Sequence, residues 1–270
     1  MPNPSPYKTI AVASTFSPRF EQVLSEAKRI RDRLGSDLNL IYVGEKTEQT
    51  TSKFRNAFAQ LSLPLDTTIH YEQGDPAESI LRAIREHKID MIVAGALEKQ
   101  VVLHPFLGNI ARRLVCESNC SVMLFTHPET KPKPLGKIVF LTDHSPHALE
   151  ALKKTLRLAI GEGSERLYVI RLITAFDEAR AKAEGNGESF KTSDLEEEAL
   201  EKFVLSAGAT DVPIETRCIR GNTGFAASDF VQAIGANLLV IPVAPSSGGE
   251  LPNNIAWITD VIPCNLWLIR

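Results

Sequence analysis

The chain lacks a surplus of charge of either sign. Lys and Arg number 30 and Asp and Glu 33, a formal net charge of -3, so charge gives no reason to expect a nucleic acid or another polyanion as partner. No apolar run approaches the ~20 residues that span a bilayer, which argues against membrane insertion. Residues 1–6 carry neither a basic n-region nor an apolar h-region and read as a short extended arm, not a secretory signal. Cysteine is scarce: Cys116, Cys120, Cys218 and Cys264 are all there are, and none form a C-x-x-C pair. The four-residue step from Cys116 to Cys120, on a helix or its end, suits packing. The expectation is buried thiols in a cytoplasmic protein, with no disulfide or metal centre. A Ser-His-Asp or Cys-His arrangement with a recognisable local signature is also missing, and no paired carboxylates stand out. Catalysis therefore has no positive support.

What is there is enough for two domains. The chain has 270 residues, 43% of them hydrophobic and 23% charged, which is ordinary for a globular protein. Residues 8–14 form a short β-branched apolar run, a buried strand. Phe20, Val23, Leu24, Ala27, Ile30 and Leu34 then recur at helical spacing, and Gly35 follows as a C-terminal glycine should. Residues 38–43 read as a strand, 51–61 as a helix and 67–71 as a strand. Asp75-Pro76 supplies an N-cap and a first helical residue for a helix with Ile80, Leu81 and Ile84 on its apolar face. Residues 89–95 form a fourth strand ending on Gly95. A long loop carries Glu98, Lys99 and His104, and Gly108-Asn109 opens a helix before a last strand at 121–125.

Residues 128–134 hold three prolines and two lysines and read as a linker between a domain at 1–128 and another at 135–270. After it the pattern returns. Strands are expected at 137–143, 167–173, 214–219, 237–243 and 265–269. Helices are expected at 147–160, ended by Gly161, at 194–205 and at 225–234, with a further helix before the last strand. Residues 175–191 form a polar, glycine-bearing insertion read as a loop. Alternating strands and helices imply parallel sheets covered on both faces, hence two doubly wound α/β domains.

The stretch from Ile89 to His127 has the outline of a phosphate-binding loop. A glycine leaves a parallel strand, and a second glycine stands at a helix start, where bare N–H groups favour an anion. Gly74-Asp-Pro76, Asp90-Met-Ile-Val-Ala-Gly95 and Gly108-Asn109 in the first half, with Thr142-Asp-His-Ser145, Gly221 and Asn237-Leu-Leu-Val-Ile241 in the second, resemble the universal stress protein family in its tandem form. The resemblance covers nearly the whole chain. It implies flavodoxin-like, adenine nucleotide alpha hydrolase-like domains with five-stranded parallel sheets in strand order 3-2-1-4-5. It also implies that the last strands of paired domains, here 121–125 and 265–269, meet antiparallel, so that one chain forms an internal pseudo-dimer. A homodimer of the tandem chain is the expected assembly.

Some members of that family bind ATP. Their motif is an Asp at the end of the first strand, with G-x-x-G, nine residues and G-[S/T] after the fourth. This chain departs from the motif in both halves. Gly95 and Gly108 match, but Glu98 replaces the second glycine, Asn109 replaces the hydroxyl residue, and no Asp follows the first strand. A carboxylate ~5 Å from a phosphate is repelled by roughly 3 kcal/mol at an effective dielectric of about 20. In the second half Asp143 is present, but Pro242 stands where the first glycine belongs and offers no N–H. The loop there is shortened to 245–254, and Ser246-Ser-Gly-Gly249 reads as a flexible loop. The candidate binding residues for ATP or AMP are therefore Gly95, Gly108 and Asn109 in one domain and Asp143 in the other.

Asp143, His144 and His147 offer metal- or phosphate-binding chemistry at a strand's C-terminal end. Ser145 as N-cap and Pro146 as first helical residue explain the same run as a helix start, and that reading is preferred. His104 reads as a loop-packing residue. Arg112 and Arg113 read as surface ion-pair formers, with phosphate contact as the competing role. Two readings follow. One is a non-enzymatic stress-response or regulatory protein acting through dimerisation and protein contacts, with a degenerate nucleotide site. The other is an ATP- or AMP-binding sensor, or slow nucleotide hydrolase, using the first-domain loop.

Overall fold

A computed structural model describes residues 5–14, 16–96, 107–174, 189–221, 224–244, 251–252 and 255–270, with backbone alone at 189–193. Glu98, Lys99, His104 and Ser246–Gly249, all singled out above, lie outside the described residues, as does most of the insertion at 175–191. The chain divides into two compact units, with the boundary between Lys133 and Pro134.

The first unit runs β1 (Thr9–Ser14), α1 (Phe20–Leu34), β2 (Asp37–Val43), α2 (Glu48–Gln60), β3 (Ile69–Glu72), α3 (Pro76–Glu86), β4 (Met91–Gly95), α4 (Asn109–Glu117), β5 (Ser121–Phe125). Its strands are parallel and ordered β3-β2-β1-β4-β5. The central strands are apolar because helices cover both faces: Ile10, Val12, Ile92, Val93 and Val122 are wholly buried. α1 buries the predicted stripe and ends at Gly35, whose φ of 70° is left-handed and whose N–H reaches Arg31 O. Asp75 caps α3 through Glu78 N at 3.0 Å, with Pro76 next. α2 starts three residues before the apolar spacing suggests. Thr47 and Thr50 form a reciprocal capping box, and side-chain hydrogen bonds of this kind carry a helix beyond its apolar stripe.

The second unit runs β6 (Lys137–Thr142), α5 (Pro146–Glu162), β7 (Arg166–Ile173), α6 (Ser189–Ser206), β8 (Ile214–Arg220), α7 (Phe225–Ala233), β9 (Leu238–Pro242), a 3-10 helix (Ala256–Thr259) and β10 (Asn265–Ile269). The order is β8-β7-β6-β9-β10, again parallel, so each unit shows the 3-2-1-4-5 sequence.

The repeat extends to single hydrogen bonds. Asp90 accepts from Thr9 N at 2.8 Å, and Asn237 accepts from Lys137 N at 2.8 Å. Each residue precedes the fourth strand of its unit and ties it to the first. Buried glutamates pin the ends of the proline-rich segment. Glu26 on α1 accepts from Glu129 N, and Glu162 on α5 accepts from Leu135 N.

Three expectations are corrected. α5 runs through Gly161 and stops at Gly163, whose φ is 64°. The two added residues place the buried Glu162 carboxylate 2.8 Å from Leu135 N. The last helix of the second unit is a single 3-10 turn, because Pro252 and Pro263 leave little room between them. Only Cys120 is a buried cysteine; the other three are half-buried. The Cys264 sulfur is nonetheless desolvated enough that burial pushes its pKa up to about 12.

Candidate functional site

In open parallel sheets, ligands sit beyond the C-terminal ends of the strands, where the strand order reverses. That point lies between β1 and β4 in the first unit and between β6 and β9 in the second.

In the first unit the two expected glycines come together. Ala96, just past Gly95, donates to Phe125 O at 2.9 Å, and Gly108 N donates to Ala96 O at 3.1 Å. The loop's two ends are thereby joined. This bond engages the N–H of Gly108, one of the donors a phosphate would need. Gly108 is the N-cap of α4 with no side-chain capping bond, and Asn109 begins the helix exposed. Arg113 pairs with Glu117 at 2.8 Å and Asp75 at 3.1 Å, the surface role expected of it.

Beyond β1 and β2 the first unit is packed with rings. Phe16 lies 5.5 Å from Phe20, 5.1 Å from Tyr42 and 4.7 Å from Phe54 between centroids, and Tyr71 closes on Tyr42 at 5.9 Å. Lys53 sits 4.9 Å over the Phe16 ring. Such edge and tilted contacts are the favoured aromatic geometries.

The second unit is hollow at the corresponding place. A cavity of about 830 Å³ is lined by Thr142 and Asp143 after β6, Arg171 on β7, Gly221 and Gly224 after β8, Pro242 on β9 and Trp257 on the 3-10 turn. Asp143 is the one predicted binding residue on its wall; Gly95, Gly108 and Asn109 belong to the first unit. Partial burial favours the neutral Asp143 carboxyl, but hydrogen bonds from Ser145, backbone N–H donation and nearby Arg171 outweigh it and hold the pKa below the ordinary carboxylate value. The floor is built by Trp257, 8% exposed, whose indole edge lies so close to Gly224 that a Cβ there would overlap Nε1 and Cδ1. Among the described residues the Trp257 Nε1 and Arg171 Nε hydrogens have no hydrogen-bond partner, and the carboxylate facing Arg171, Glu196, is 3.9 Å away.

The helix-start reading of residues 143–148 holds. Ser145 Oγ accepts from Ala148 N at 3.1 Å, and Pro146 begins α5. His144 turns to stack on Phe203 at 5.3 Å, and His147 Nε2 lies 3.2 Å from Ile269 O. Asp143, His144 and His147 thus do not gather around a cation. Pro242 occupies the place of Gly95: Val243 N donates to Ile269 O as Ala96 N does to Phe125 O. Pro242 offers no N–H at this position.

Sequence reasoning missed Arg171, Gly224 and Trp257. The available signal was weak: a glycine before a helix, and one of two tryptophans in the chain.

The sequence profile of the universal stress protein family matches residues 53–126 and 134–250, well over half of the chain. The chain belongs to the universal stress protein family. Among curated relatives it is similar to the "Universal stress protein in QAH/OAS sulfhydrylase 3'region" of Thermus aquaticus, at 29% identity over 44% of this chain and 98% of that protein. Among solved structures, a protein of Pseudomonas aeruginosa UCBPP-PA14 described as a universal stress protein superposes with a TM-score of 0.75 at 15% identity, covering 98% of this chain and 94% of the other. A universal stress protein of Archaeoglobus fulgidus DSM 4304 gives 0.66 at 13% identity, covering 97% and 98%. At these identities the structural likeness establishes the universal stress protein fold. Among the described residues, no helix is long and apolar enough to cross a membrane.

Proposed function

We propose that this universal stress protein is a non-enzymatic regulator that has given up the nucleotide triphosphate site some of its relatives use, and that it acts through protein contacts as a homodimer of the tandem chain. One observation carries the reading. The cavity at the switch point of the second unit is edged by Pro242, where a phosphate loop needs a glycine and its N–H. The rim charges point the same way. Among the described lining residues Asp143 and Asp260 outnumber Arg171, so a triphosphate entering there meets net negative charge from them. Among the described residues, the lining includes no histidine or cysteine to act as base or nucleophile near neutral pH.

Isothermal titration of the full chain with ATP and with AMP tests the reading; no binding in the micromolar range is expected, and micromolar affinity for either overturns it. Light scattering after size-exclusion tests the dimer, and a monomer mass would remove that part.

A second reading keeps an ATP or AMP sensor in the first unit. It is favoured by the closure of Gly108 onto Ala96, which sets the N-terminus of α4 beside the end of β4. Its test is a nucleotide in the heat-released supernatant of the purified protein that disappears in Gly108→Asp.

A further inference from the structure

Away from both switch points, β3 and the end of α3 bring Glu72, Glu86 and His87 together, with one ligand atom from each lying within 4.8 Å of the others. Glu72 ends β3 and is only 11% exposed in its side chain. Its Oε2 accepts from Arg82 Nη2 at 2.7 Å, which fixes the carboxylate plane. Its Oε1 is turned toward His87 Nε2 at 3.9 Å. That gap is too long for a hydrogen bond. It is close to the separation of two donors around one cation. Ligands ~2.1 Å from a zinc ion stand about 3.4 Å apart at the tetrahedral angle and about 4.2 Å apart when opposed.

The imidazole is also oriented from behind. His70, two residues before Glu72 and so on the same face of β3, stacks on His87 with centroids 3.6 Å apart and planes 18° from parallel. His70 is itself held through Asn39 Nδ2, 3.2 Å from its Nε2. A carboxylate fixed by an arginine and an imidazole fixed by a stacked ring are the kind of outer contacts that orient metal ligands. Glu86, the exposed third donor, already has a carboxylate oxygen within 4.8 Å of the other two ligand atoms.

We propose that Glu72, Glu86 and His87 form a binding site for a divalent transition cation, with solvent completing the coordination. Two carboxylates supply the charge that draws in a divalent ion, and the imidazole favours zinc or its neighbours over magnesium or calcium. The site lies in the first unit and does not depend on the nucleotide reading above.

The test is calorimetric titration of the full chain with zinc chloride, compared with His87→Gln and Glu86→Gln and followed by imidazole NMR. Glu86 is exposed, so its replacement leaves folding intact. One ion per chain at micromolar affinity is expected, with the His87 resonances shifting and binding at least tenfold weaker in each variant. No micromolar binding overturns the proposal. Unchanged affinity in both variants also overturns it, because the zinc then sits elsewhere, on a thiol for example.

Discussion

The two units share a strand order and differ at the edge where ligands bind. Paired register makes the difference explicit. Ser14 at the end of β1 faces Tyr42, which faces Tyr71; Thr142 at the end of β6 faces Arg171, which faces Cys218. Two residues past each first strand stand Phe16 and His144. In the first unit these positions carry rings that pack on Phe54; in the second they carry Arg171 on the cavity wall, Cys218 beside it in register, and His144 packed on Phe203. Among the described residues, the duplicated backbone therefore carries different side chains at its ligand edge.

The largest expected effect tests the solid side. Phe54 is wholly buried and touches Phe16, Phe20, Tyr42, Phe58 and Tyr71. Phe54→Ala should cost about 3–5 kcal/mol in urea unfolding, the usual result of removing a buried ring. A loss under about 1 kcal/mol would mean that the rings are not the first unit's core at this edge.

Two glycines test the contrast directly. Gly224→Ala drives a Cβ into the Trp257 indole, so either the floor of the cavity or the start of α7 must move. About 1–3 kcal/mol of destabilisation is expected, with a change in tryptophan fluorescence. Gly95→Ala places its Cβ 3.4 Å from Val23 Cγ2, an ordinary contact, and should stay within about 0.5 kcal/mol. Equal costs would erase the difference between a floor that leaves no space for a Cβ in one unit and a strand end that meets one at ordinary contact distance in the other.

The first helices of the two units give a smaller contrast. Ser145 caps α5 through Ala148 N, whereas Arg19 before α1 makes no side-chain capping bond. Ser145→Ala should cost about 1 kcal/mol. Arg19→Ala should be nearly neutral on the same chemical melt, and a comparable loss there would show an unrecognised role for Arg19.

Most of the framework was legible because it rests on local signals. The α1 stripe ending at Gly35, Asp75-Pro76 before α3 and Ser145-Pro146 before α5 are each decided within a few residues. The helix running past Gly161 was missed because its continuation depends on Glu162 reaching Leu135, a contact 27 residues apart. Gly95 and Gly108 could be paired by spacing, and the structure does bring them together. The cavity could not be foreseen in the same way. Its walls come from strand ends that meet only through register, and Arg171 and Trp257 carry no local motif. The Glu72 and His87 cluster escaped for the same reason.

The smallest effect separates Phe16 from His144. The imidazole of His144 is partly buried against Phe203, and burial, followed by the charge of Arg171, lowers its pKa, while Glu196 and Asp143 pull weakly the other way. A histidine with a depressed folded pKa binds its proton less readily than in the unfolded chain. Its contribution is therefore complete above the unfolded value near 6.5 and is lost as pH falls through the lower folded value. The thermal midpoint should drop between about pH 7.5 and about pH 5.5, and His144→Asn should make that drop shallower. Asn suits this position because the His144 φ of 61° is left-handed, a conformation asparagine tolerates better than most residues. Asp143 does not confuse the window, since its own lowered pKa moves its loss of stability below pH 3.8. Contributions from the other histidines are common to both proteins and cancel in the difference. A variant with the same slope as the parent would show that the ring at His144 is as indifferent to protons as the phenyl group standing in its place in the first unit.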